Sequence, residues 1–374
     1  MSSSFGKIFS KSFGFGKKDR SVLGVDLGSS SIKVVQLRND RGQAILETYG
    51  EMAVGPYQDL SVGQAVNILP EKLSVLMKDL FREAGVTSNF GGLSIPLKSS
   101  LLISLSLPGV SEEELGGMIS IEARKYIPVP ISETIIDWWV VPKTSYEYED
   151  AEKGKKGALA DKVNVLVAVV HKDTVAQYKK LSSSLSLDNP FFEIETFSVM
   201  RSILRNEKGA ILIVDLGATT TKVTIIDYGS VRVSHTINKG GQDITIALSR
   251  GLGLSFPKAE EIKRKVGLVE TSSGGDMRRT INPIIEYIFS EVTKVMVKYQ
   301  EKNTRSVEKV FLIGGGALLK GLFEVAKDNI YAPVFLGTPF DRTLAPEFLA
   351  DMLKQTGPAF AVSIGVALRA LEEE

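Results

Sequence analysis

The sequence predicts an α/β fold with two related lobes, and three observations lead to this prediction. The chain has 374 residues, of which 43% are apolar and 24% are charged, so it can bury the cores of two or three domains. One hairpin pattern occurs twice, once in each half of the chain. A later segment joins an apolar strand to a helix through a run of glycines. Internal similarity of this kind predicts a molecule built from two similar halves.

Composition excludes several classes of function. Lysine and arginine number 45 against 44 acidic residues, so the net charge of +1 gives no general attraction to nucleic acid. The chain has no cysteine, which excludes disulfides, thiolate-bound zinc and thiol nucleophiles. Its two histidines, His171 and His235, are too few for a histidine-rich metal site. The sequence has no apolar run long enough to span a membrane, no Walker phosphate loop and no G-x-G-x-x-G motif.

Two segments of the chain share one pattern of residues. They read VLGVDLGSSSIKVVQL at 22–37 and ILIVDLGATTTKVTII at 211–226. In each, an apolar strand reaches Asp-Leu-Gly, a turn of small residues follows, and a second β-rich strand leaves. Lys33 follows Asp26 by seven positions, and Lys222 follows Asp215 by the same number. This pattern predicts two β-hairpins.

The turns of these hairpins have the chemistry of a phosphate clamp. Gly28 and Gly217 permit a tight turn and close approach of the backbone. Hydroxyl and N–H groups suited to phosphate oxygens follow at Ser29, Ser30, Ser31, Thr219, Thr220 and Thr221. The repeated aspartates suit a hydrated Mg²⁺, and the repeated lysines can offset phosphate charge. An ordinary hairpin with a solvated aspartate has the same local pattern, so the matched spacing of the two copies is what favours a clamp.

Glycines also mark two later junctions between a strand and a helix. The segment VFLIGGGALLKGL at 310–322 predicts a strand followed by a helix that begins near Ala317. The segment KGGQD at 239–243 follows one predicted strand and precedes a helical pattern. A phosphate or a flat ring can approach such a backbone closely. The glycines concerned are Gly240, Gly241, Gly314, Gly315 and Gly316.

A short helix is predicted between Ser255 and Gly267, since the first is a start signal and the second a stop signal. Glu260 and Lys263 lie three positions apart on one face of this helix. They form either a solvent ion pair, which is the common case, or a contact to a nucleoside.

These five segments, in this order, resemble the actin-like ATPase superfamily, which includes actin, the large heat-shock chaperones, sugar kinases and FtsA. The resemblance covers residues 21–372 and implies an actin-like, ribonuclease H-like fold of two lobes with ATP and Mg²⁺ in the cleft between them. It also implies that Asp26 and Asp215 hold Mg²⁺ through water. Together with the turn chemistry, it gives these candidate ATP-binding residues: Gly28, Ser29, Ser30, Ser31, Lys33, Gly217, Thr219, Thr220, Lys222, Gly240, Gly241, Glu260, Lys263, Gly314, Gly315 and Gly316.

A small inserted subdomain indicates the branch of the superfamily. The pattern is strand (101–107), helix (111–126), strand (134–141) and strand (163–171). Ser111 and Glu114 form a capping box at the start of the helix. This β-α-β-β order resembles the subdomain of FtsA. The run IEARKYIPVPISETIIDWWVV at 121–141 resembles the PilM family of cytoplasmic proteins in type IV pilus assembly.

The resemblance implies a division of the chain into domains. The predicted parts are a basic N-terminal tail (1–20), a first lobe (21–96 with 188–207 and 359–374), an inserted FtsA-type subdomain (97–187), a second lobe (208–245 with 310–358) and a helical subdomain of the second lobe (246–309). The tail is predicted to be disordered or to form a weak amphipathic contact with a membrane. A polar stretch at 143–162 is predicted to be a mobile loop.

The PilM resemblance implies an ATP-binding cytoplasmic scaffold, peripheral at the inner membrane. Its implied partner is the N-terminal cytoplasmic peptide of a PilN-like membrane protein, bound in a nucleotide-dependent way between the first lobe and the inserted subdomain. Candidate partner-binding residues are Tyr126, Trp138 and Trp139, and adjacent strand positions predict that one tryptophan faces outward. Glu195 is the candidate to orient a hydrolytic water, although a glutamate that caps a helix fits equally. We therefore expect ATP binding with slow turnover at most.

Two other functions stay open at this stage. One is an FtsA-like filament protein of division or cytomotility, with self-association. FtsA carries a C-terminal amphipathic membrane helix, whereas this sequence ends in three glutamates, which argues against that function. The other is a sugar or acetate kinase, which would carry a substrate-specific acid in a larger lid domain.

Overall fold

A computed structural model describes residues 20–141, 162–205, 207–269, 275–303 and 305–372. The predicted N-terminal tail, apart from Arg20, and the predicted loop at 143–162, apart from its last residue, lie outside these ranges. No helix within them is both long enough and apolar enough to cross a bilayer.

The described elements alternate between strands and helices along the chain. The strands are β1 (Ser21–Leu27), β2 (Ser31–Asp40), β3 (Gln43–Ala53), β4 (Phe90–Ile95), β5 (Ser100–Pro108), β6 (Thr134–Val141), β7 (Lys162–His171), β8 (Asp188–Ile194), β9 (Ala210–Leu216), β10 (Thr221–Asp227), β11 (Ser230–Ile237), β12 (Val307–Ile313) and β13 (Val334–Leu336). The helices are α1 (Pro70–Glu83), α2 (Glu112–Ala123), α3 (Lys172–Ser184), α4 (Glu195–Ile203), α5 (Gly241–Gly251), α6 (Phe256–Lys265), α7 (Gly275–Asn303), α8 (Leu322–Asn329), α9 (Ala350–Thr356) and α10 (Ala361–Glu372).

Two five-stranded sheets of the same design form the two lobes. The first has the order β3-β2-β1-β4-β8 and the second the order β11-β10-β9-β12-β13. In each, the first three strands are antiparallel and the last two run parallel to the central strand. The hairpins β1-β2 and β9-β10 are the repeated segments, so the two-lobed α/β fold predicted from the duplication is confirmed.

Helix α10 packs against the first sheet and is buried over most of its length. Glycine is required at two contacts of this helix. A Cβ atom at Gly24 of β1 would overlap the Ser363 carbonyl of α10, and one at Gly365 of α10 would overlap the Ser198 carbonyl of α4. Helix α4 lies against α10, so the end of the chain closes the first lobe. The core of the second lobe forms around helix α7, with Phe289 almost fully buried.

The inserted sheet has the order β5-β7-β6, and α2 covers one of its faces. Its other face packs on the first lobe, so β7 is buried on both sides and reads as a continuous apolar run. The capping box of Ser111 and Glu114 is present. The helix ends at Ala123 and not at Tyr126 as predicted. The N–H groups of Lys125 and Tyr126 donate to the carbonyls three residues back, at Glu122 and Ala123, so residues 124–126 form tight turns in place of a last α-helical turn.

The prediction of a helix from near Ala317 is also wrong. Strand β12 ends at Ile313, and Gly315–Leu318 form a single 3₁₀ turn. Leu319 is extended and Gly321 adopts a φ of 80°, so the α-helix begins only at Leu322. The glycine run therefore lies in a tight turn rather than at a helix start.

Candidate functional site

A cleft of about 950 Å³ lies between the two lobes, where the repeated hairpin turns face one another. The predicted residues that line it are Asp26, Gly28, Ser29, Ser30, Ser31, Lys33, Glu195, Asp215, Gly217, Thr219, Thr220, Lys222, Gly241, Glu260, Lys263, Gly314, Gly315 and Gly316. Of the candidate nucleotide and catalytic residues, Gly240 does not line the cleft and lies beside it. The structure therefore brings together residues from six separate segments of the chain, the sixth being the one that contains Glu195.

In the first hairpin, the strand register places Lys33 opposite Asp26. The lysine side chain nevertheless turns toward β3. Its Nζ donates to Ser31 Oγ at 2.9 Å and pairs with Glu51 Oε1 at 3.3 Å. Burial by itself raises the pKa of Glu51, but Lys33 and the Ser31 hydroxyl, with Arg264, together hold that pKa below its ordinary value. The first lysine is thus engaged by a carboxylate at the edge of the cleft.

Asp26 has a different environment. Ser94 Oγ, at the end of β4, donates to Asp26 Oδ1 at 3.2 Å, and the N–H of Leu27 donates to the same hydroxyl oxygen. Burial of the carboxyl group raises the pKa of Asp26, against the lowering effect of Lys33 and Lys222. Because nearby groups offset little of the negative charge of this buried carboxylate, a cation is a suitable partner for it.

In the second hairpin, Lys222 lies between two carboxylates. Its Nζ is 3.1 Å from Asp215 Oδ2, its strand neighbour, and 2.7 Å from Glu195 Oε2. Burial lowers the pKa of Lys222, but Asp215 and Glu195 outweigh it and raise that pKa above its ordinary value, so the lysine stays charged. The two repeated lysines therefore make different contacts despite the same spacing.

Glu195 begins α4 directly after β8 and is buried. Besides Lys222, it accepts the N–H of Leu97 through Oε1. Burial raises the pKa of Glu195 in spite of the nearby lysine. Both of its oxygens thus have a donor within the protein.

The start of α5 supports the second hairpin turn. The N–H of Gly241 donates to the Gly217 carbonyl at 2.9 Å, and the N–H of Gln242 donates to the Ala218 carbonyl at 2.8 Å. The N–H of Gly240 is bonded to Asp243. These donors hold the turn in place and are not directed into the cleft.

Beside the second hairpin, at the end of β12, Gly314 has a φ of 82°, and a Cβ atom there would overlap the Asp215 carboxylate. Its N–H donates to the Pro358 carbonyl at 2.8 Å, which ties the glycine turn to the segment before α10. Glycine is therefore required for both the backbone angle and the space.

On α6, Glu260 is buried and makes a network rather than a solvent ion pair. It pairs with Lys263 at 2.6 Å and Arg264 at 2.7 Å, and Thr245 Oγ1 donates to it at 2.6 Å. Lys263 also donates to the Gly241 carbonyl at 3.0 Å. This network joins α6 to the start of α5 along one wall of the cleft.

The sequence analysis missed the segment 61–68, which we call the cross-lobe strap. The N–H of Val66 donates to the Ser29 carbonyl at 3.0 Å in the first lobe. The N–H of Ala65 donates to Gln242 Oε1 at 2.6 Å in the second lobe. Gly63, with a φ of 86°, lies directly against the Glu260 carboxylate. Glycine and polar residues gave only a loop signal here, and the contacts that give the strap its position are distant in sequence. Ser94 and Glu51 were missed for the same reason.

The candidate partner-binding residues lie on the inserted subdomain. Tyr126 is 56% exposed. The two tryptophans face opposite sides of the inserted sheet, as alternation requires, but the prediction that one of them faces outward is wrong. Trp138 packs with the core under α2, and Trp139 packs on the first lobe, edge to face with Phe197 at 5.1 Å between ring centres. Both are half-buried because both faces of the sheet are covered.

The donor set fits Mg²⁺ only through water. Within the described ranges, no three aspartate, glutamate or histidine residues are close enough to hold a metal directly. Two aspartates on opposite hairpins suit an ion that keeps most of its waters and takes one or two carboxylates.

Comparisons with known proteins agree with this architecture. A solved PilM–PilN type IV pilus biogenesis complex contains a chain with a TM-score of 0.77 and 22% identity, over 94% of this chain and 98% of that one. MreB5 of Spiroplasma citri, bound to AMPPNP, gives a TM-score of 0.50 and 14% identity over 95% and 97% of the two chains. The cell division protein FtsA of Pseudomonas aeruginosa is 22% identical over 94% of this chain and 90% of that protein.

The family model described as type IV pilus assembly protein PilM matches residues 24–371. Because this match spans nearly the whole chain, the protein belongs to the PilM family of type IV pilus assembly proteins.

Proposed function

We propose that the protein binds ATP with Mg²⁺ in the cleft between its lobes, and acts as a cytoplasmic scaffold of type IV pilus assembly at the inner membrane. The observation that carries the nucleotide proposal is that both Asp-Leu-Gly hairpins line one cleft of about 950 Å³. The AMPPNP bound to the structurally similar MreB5 supports a nucleotide as the ligand of such a cleft.

Each wall of the cleft has a role in this proposal. The hydroxyl and N–H groups of Ser29, Ser30, Ser31, Thr219 and Thr220 bind phosphate oxygens, and Lys33 and Lys222 offset their charge. Asp26 and Asp215 hold the waters of Mg²⁺, which supplies charge neutralisation at the phosphates. The glycine turn at 314–316 and the wall formed by Glu260 and Lys263 face the nucleoside.

Turnover is slow at most in this proposal. A group that orients a hydrolytic water needs a free oxygen directed at that water. Glu195 accepts a backbone N–H on one oxygen and the Lys222 ammonium on the other. Because both oxygens are engaged by donors of the protein itself, this geometry favours a scaffold over a fast ATPase.

The proposed partner is the N-terminal cytoplasmic peptide of a PilN-like inner-membrane protein, bound in a nucleotide-dependent way. The solved complex of a PilM with a PilN supports this choice. The surface proposed for it lies at the inserted subdomain, where Tyr126 is exposed beside α2. We also propose the domain limits given above, because the inserted sheet follows β4 and returns to the first sheet through β8.

The nucleotide proposal is tested by Asp26→Ala and Asp215→Ala, each measured by titration calorimetry with Mg²⁺·ATP. We expect each variant to bind at least about tenfold more weakly than the wild type, which corresponds to about 1.4 kcal/mol. Asp173→Ala is the matched control, because that side chain is 82% exposed and lies outside the cleft. Normal binding by either cleft variant contradicts the assignment of the clamp.

The partner proposal is tested by fluorescence anisotropy with a synthetic peptide of the cognate PilN N-terminus. Tyr126→Ala should weaken binding, whereas Tyr331→Ala, which removes a 93% exposed ring from the second lobe, should not. Peptide affinity should also change when Mg²⁺·ATP is added. Equal affinity of both variants contradicts the proposed surface.

The similarity to FtsA favours one second candidate, an ATP-dependent filament. Sedimentation of the full chain with and without Mg²⁺·ATP tests it. Pelleting that requires nucleotide supports a filament, and a chain that stays in the supernatant at high concentration contradicts it.

A further inference from the structure

Glu195 contacts both the nucleotide cleft and the entry to the inserted subdomain, which have separate roles in the proposed function. It follows β8, the strand by which the chain returns from the inserted subdomain, and it lies at the base of the nucleotide cleft. One carboxylate oxygen accepts the N–H of Leu97, and the other accepts the ammonium of Lys222. Leu97 begins the short turn between β4 and β5, which is the entry to the inserted sheet.

The first turn of α4 contacts the inserted subdomain at a second point. Phe197 lies two residues after Glu195 and packs edge to face on Trp139 of β6, with 5.1 Å between ring centres. Both the entry turn and the inserted sheet therefore rest on the same turn of helix. Pro96, Lys98 and Ser99 of the entry turn also line the cleft.

The contact with Lys222 differs from its counterpart in the first hairpin. Lys33 has the same spacing from its aspartate but pairs with Glu51 on the neighbouring strand of its own sheet. Lys222 lies in the second sheet, whereas Glu195 follows the last strand of the first sheet, so their ion pair crosses between the lobes. An anionic group that enters the cleft competes with Glu195 for this ammonium, because one buried cation cannot fully compensate both.

We propose that Glu195 is a positioning residue that couples occupancy of the cleft to the inserted subdomain, through Lys222 on one side and the Leu97 backbone on the other. A phosphate group that draws Lys222 away leaves Glu195 without its buried counter-ion, so the first turn of α4 and the entry turn bonded to it shift together. This inference rests on the proposed function, since it requires a nucleotide in the cleft, and it assigns Glu195 a role other than orienting water.

The test uses hydrogen exchange by mass spectrometry on the full chain, with and without saturating Mg²⁺·AMPPNP, with saturation of each variant verified by calorimetry. In the wild type, AMPPNP should change amide exchange in β5 and β6 by about fivefold or more, the lower range of allosteric couplings. Glu195→Gln keeps an acceptor for Leu97 but loses the charge that holds Lys222, so the change in β5 and β6 should disappear.

Glu51→Gln is the matched control, because it neutralises the partner of the other hairpin lysine without a contact to the entry turn. It should keep the response in β5 and β6. Lys222→Met, which breaks the same link from the other side, should lose the response and keeps the test decisive if Glu195→Gln fails to fold.

Three outcomes separate the two proposals. Failure of the wild type to bind AMPPNP overturns the proposed function and this inference with it. Binding that leaves exchange in β5 and β6 unchanged overturns only the inference. A full response retained by Glu195→Gln overturns it as well, since the response then travels by another route.

Discussion

Loss of the Gln242 side chain should detach the cross-lobe strap from the second lobe, while the strap stays bonded to the first lobe. The bond from the Ala65 N–H to Gln242 Oε1, 2.6 Å long, joins the strap to α5. The bond from the Val66 N–H to Ser29 belongs to the first lobe and is unaffected by Gln242→Ala. A hydrogen bond of this kind contributes about 0.5–1.5 kcal/mol net. At about 1.4 kcal/mol per factor of ten, the opening equilibrium should shift between about twofold and about tenfold.

Hydrogen exchange of the ligand-free protein measures this shift directly at the amides of the strap. Exchange at Ala65 should accelerate by the same factor in Gln242→Ala. The matched control is Gln64→Ala, which removes a bond inside the strap, from the Ser61 N–H to Gln64 Oε1 at 2.7 Å. If the control accelerates exchange at Ala65 and Gln242→Ala does not, then the strap is held by its own structure and the cross-lobe reasoning is refuted.

The remaining predictions concern stability. Glu193 is buried between Arg201 and Arg369, so Glu193→Gln should lower the free energy of unfolding by about 3 kcal/mol in urea titrations, since two arginines lose their counter-ion. Burial by itself raises the pKa of Glu193, but the two arginines outweigh it and hold that pKa below its ordinary value. The stability that this depressed pKa contributes is present above the unfolded-state pKa and is lost as pH falls through the folded-state value. Below about pH 4, wild-type stability should therefore fall more steeply than that of Glu193→Gln. Ser111→Ala removes the capping box with Glu114 and should cost about 1 kcal/mol by the same titration, whereas Ser111→Asp should retain most of it.

The parts of the molecule that were predictable from sequence are those that depend on local patterns. The matched spacing of Asp26 and Lys33 fixed a hairpin, and the hairpin register then placed the two residues opposite one another. The capping box at Ser111 gave the start of α2 because it is formed by residues three positions apart. The succession of strand, helix, strand and strand along the inserted subdomain was predictable as well, because each element has its own local pattern.

The errors concern features that depend on distant residues. Adjacent tryptophans alternate between faces by local geometry, but whether a face meets solvent depends on the packing of the inserted sheet against the first lobe. The 3₁₀ turn after β12 depends on the close approach of Gly314 to Asp215, which lies in another strand. The strap had no pattern to detect, since its position depends on contacts with Ser29 and Gln242.

The repeated hairpins show that the same backbone pairing can carry different side-chain contacts. Their sequences specify the same register, so each lysine starts opposite its own aspartate. In the first lobe Glu51 draws Lys33 toward β3, and Asp26 is left with the Ser94 hydroxyl as a hydrogen-bond donor. In the second lobe Glu195 meets the lysine from across the cleft, and Asp215 shares that cation. The duplicated motif thus gives two hairpins with the same backbone register, in which the charges of the aspartates are compensated differently. This difference supports the proposal made above, in which a hydrated cation lies beside the weakly compensated carboxylate of Asp26 and phosphate charge lies beside the shared ammonium of Lys222.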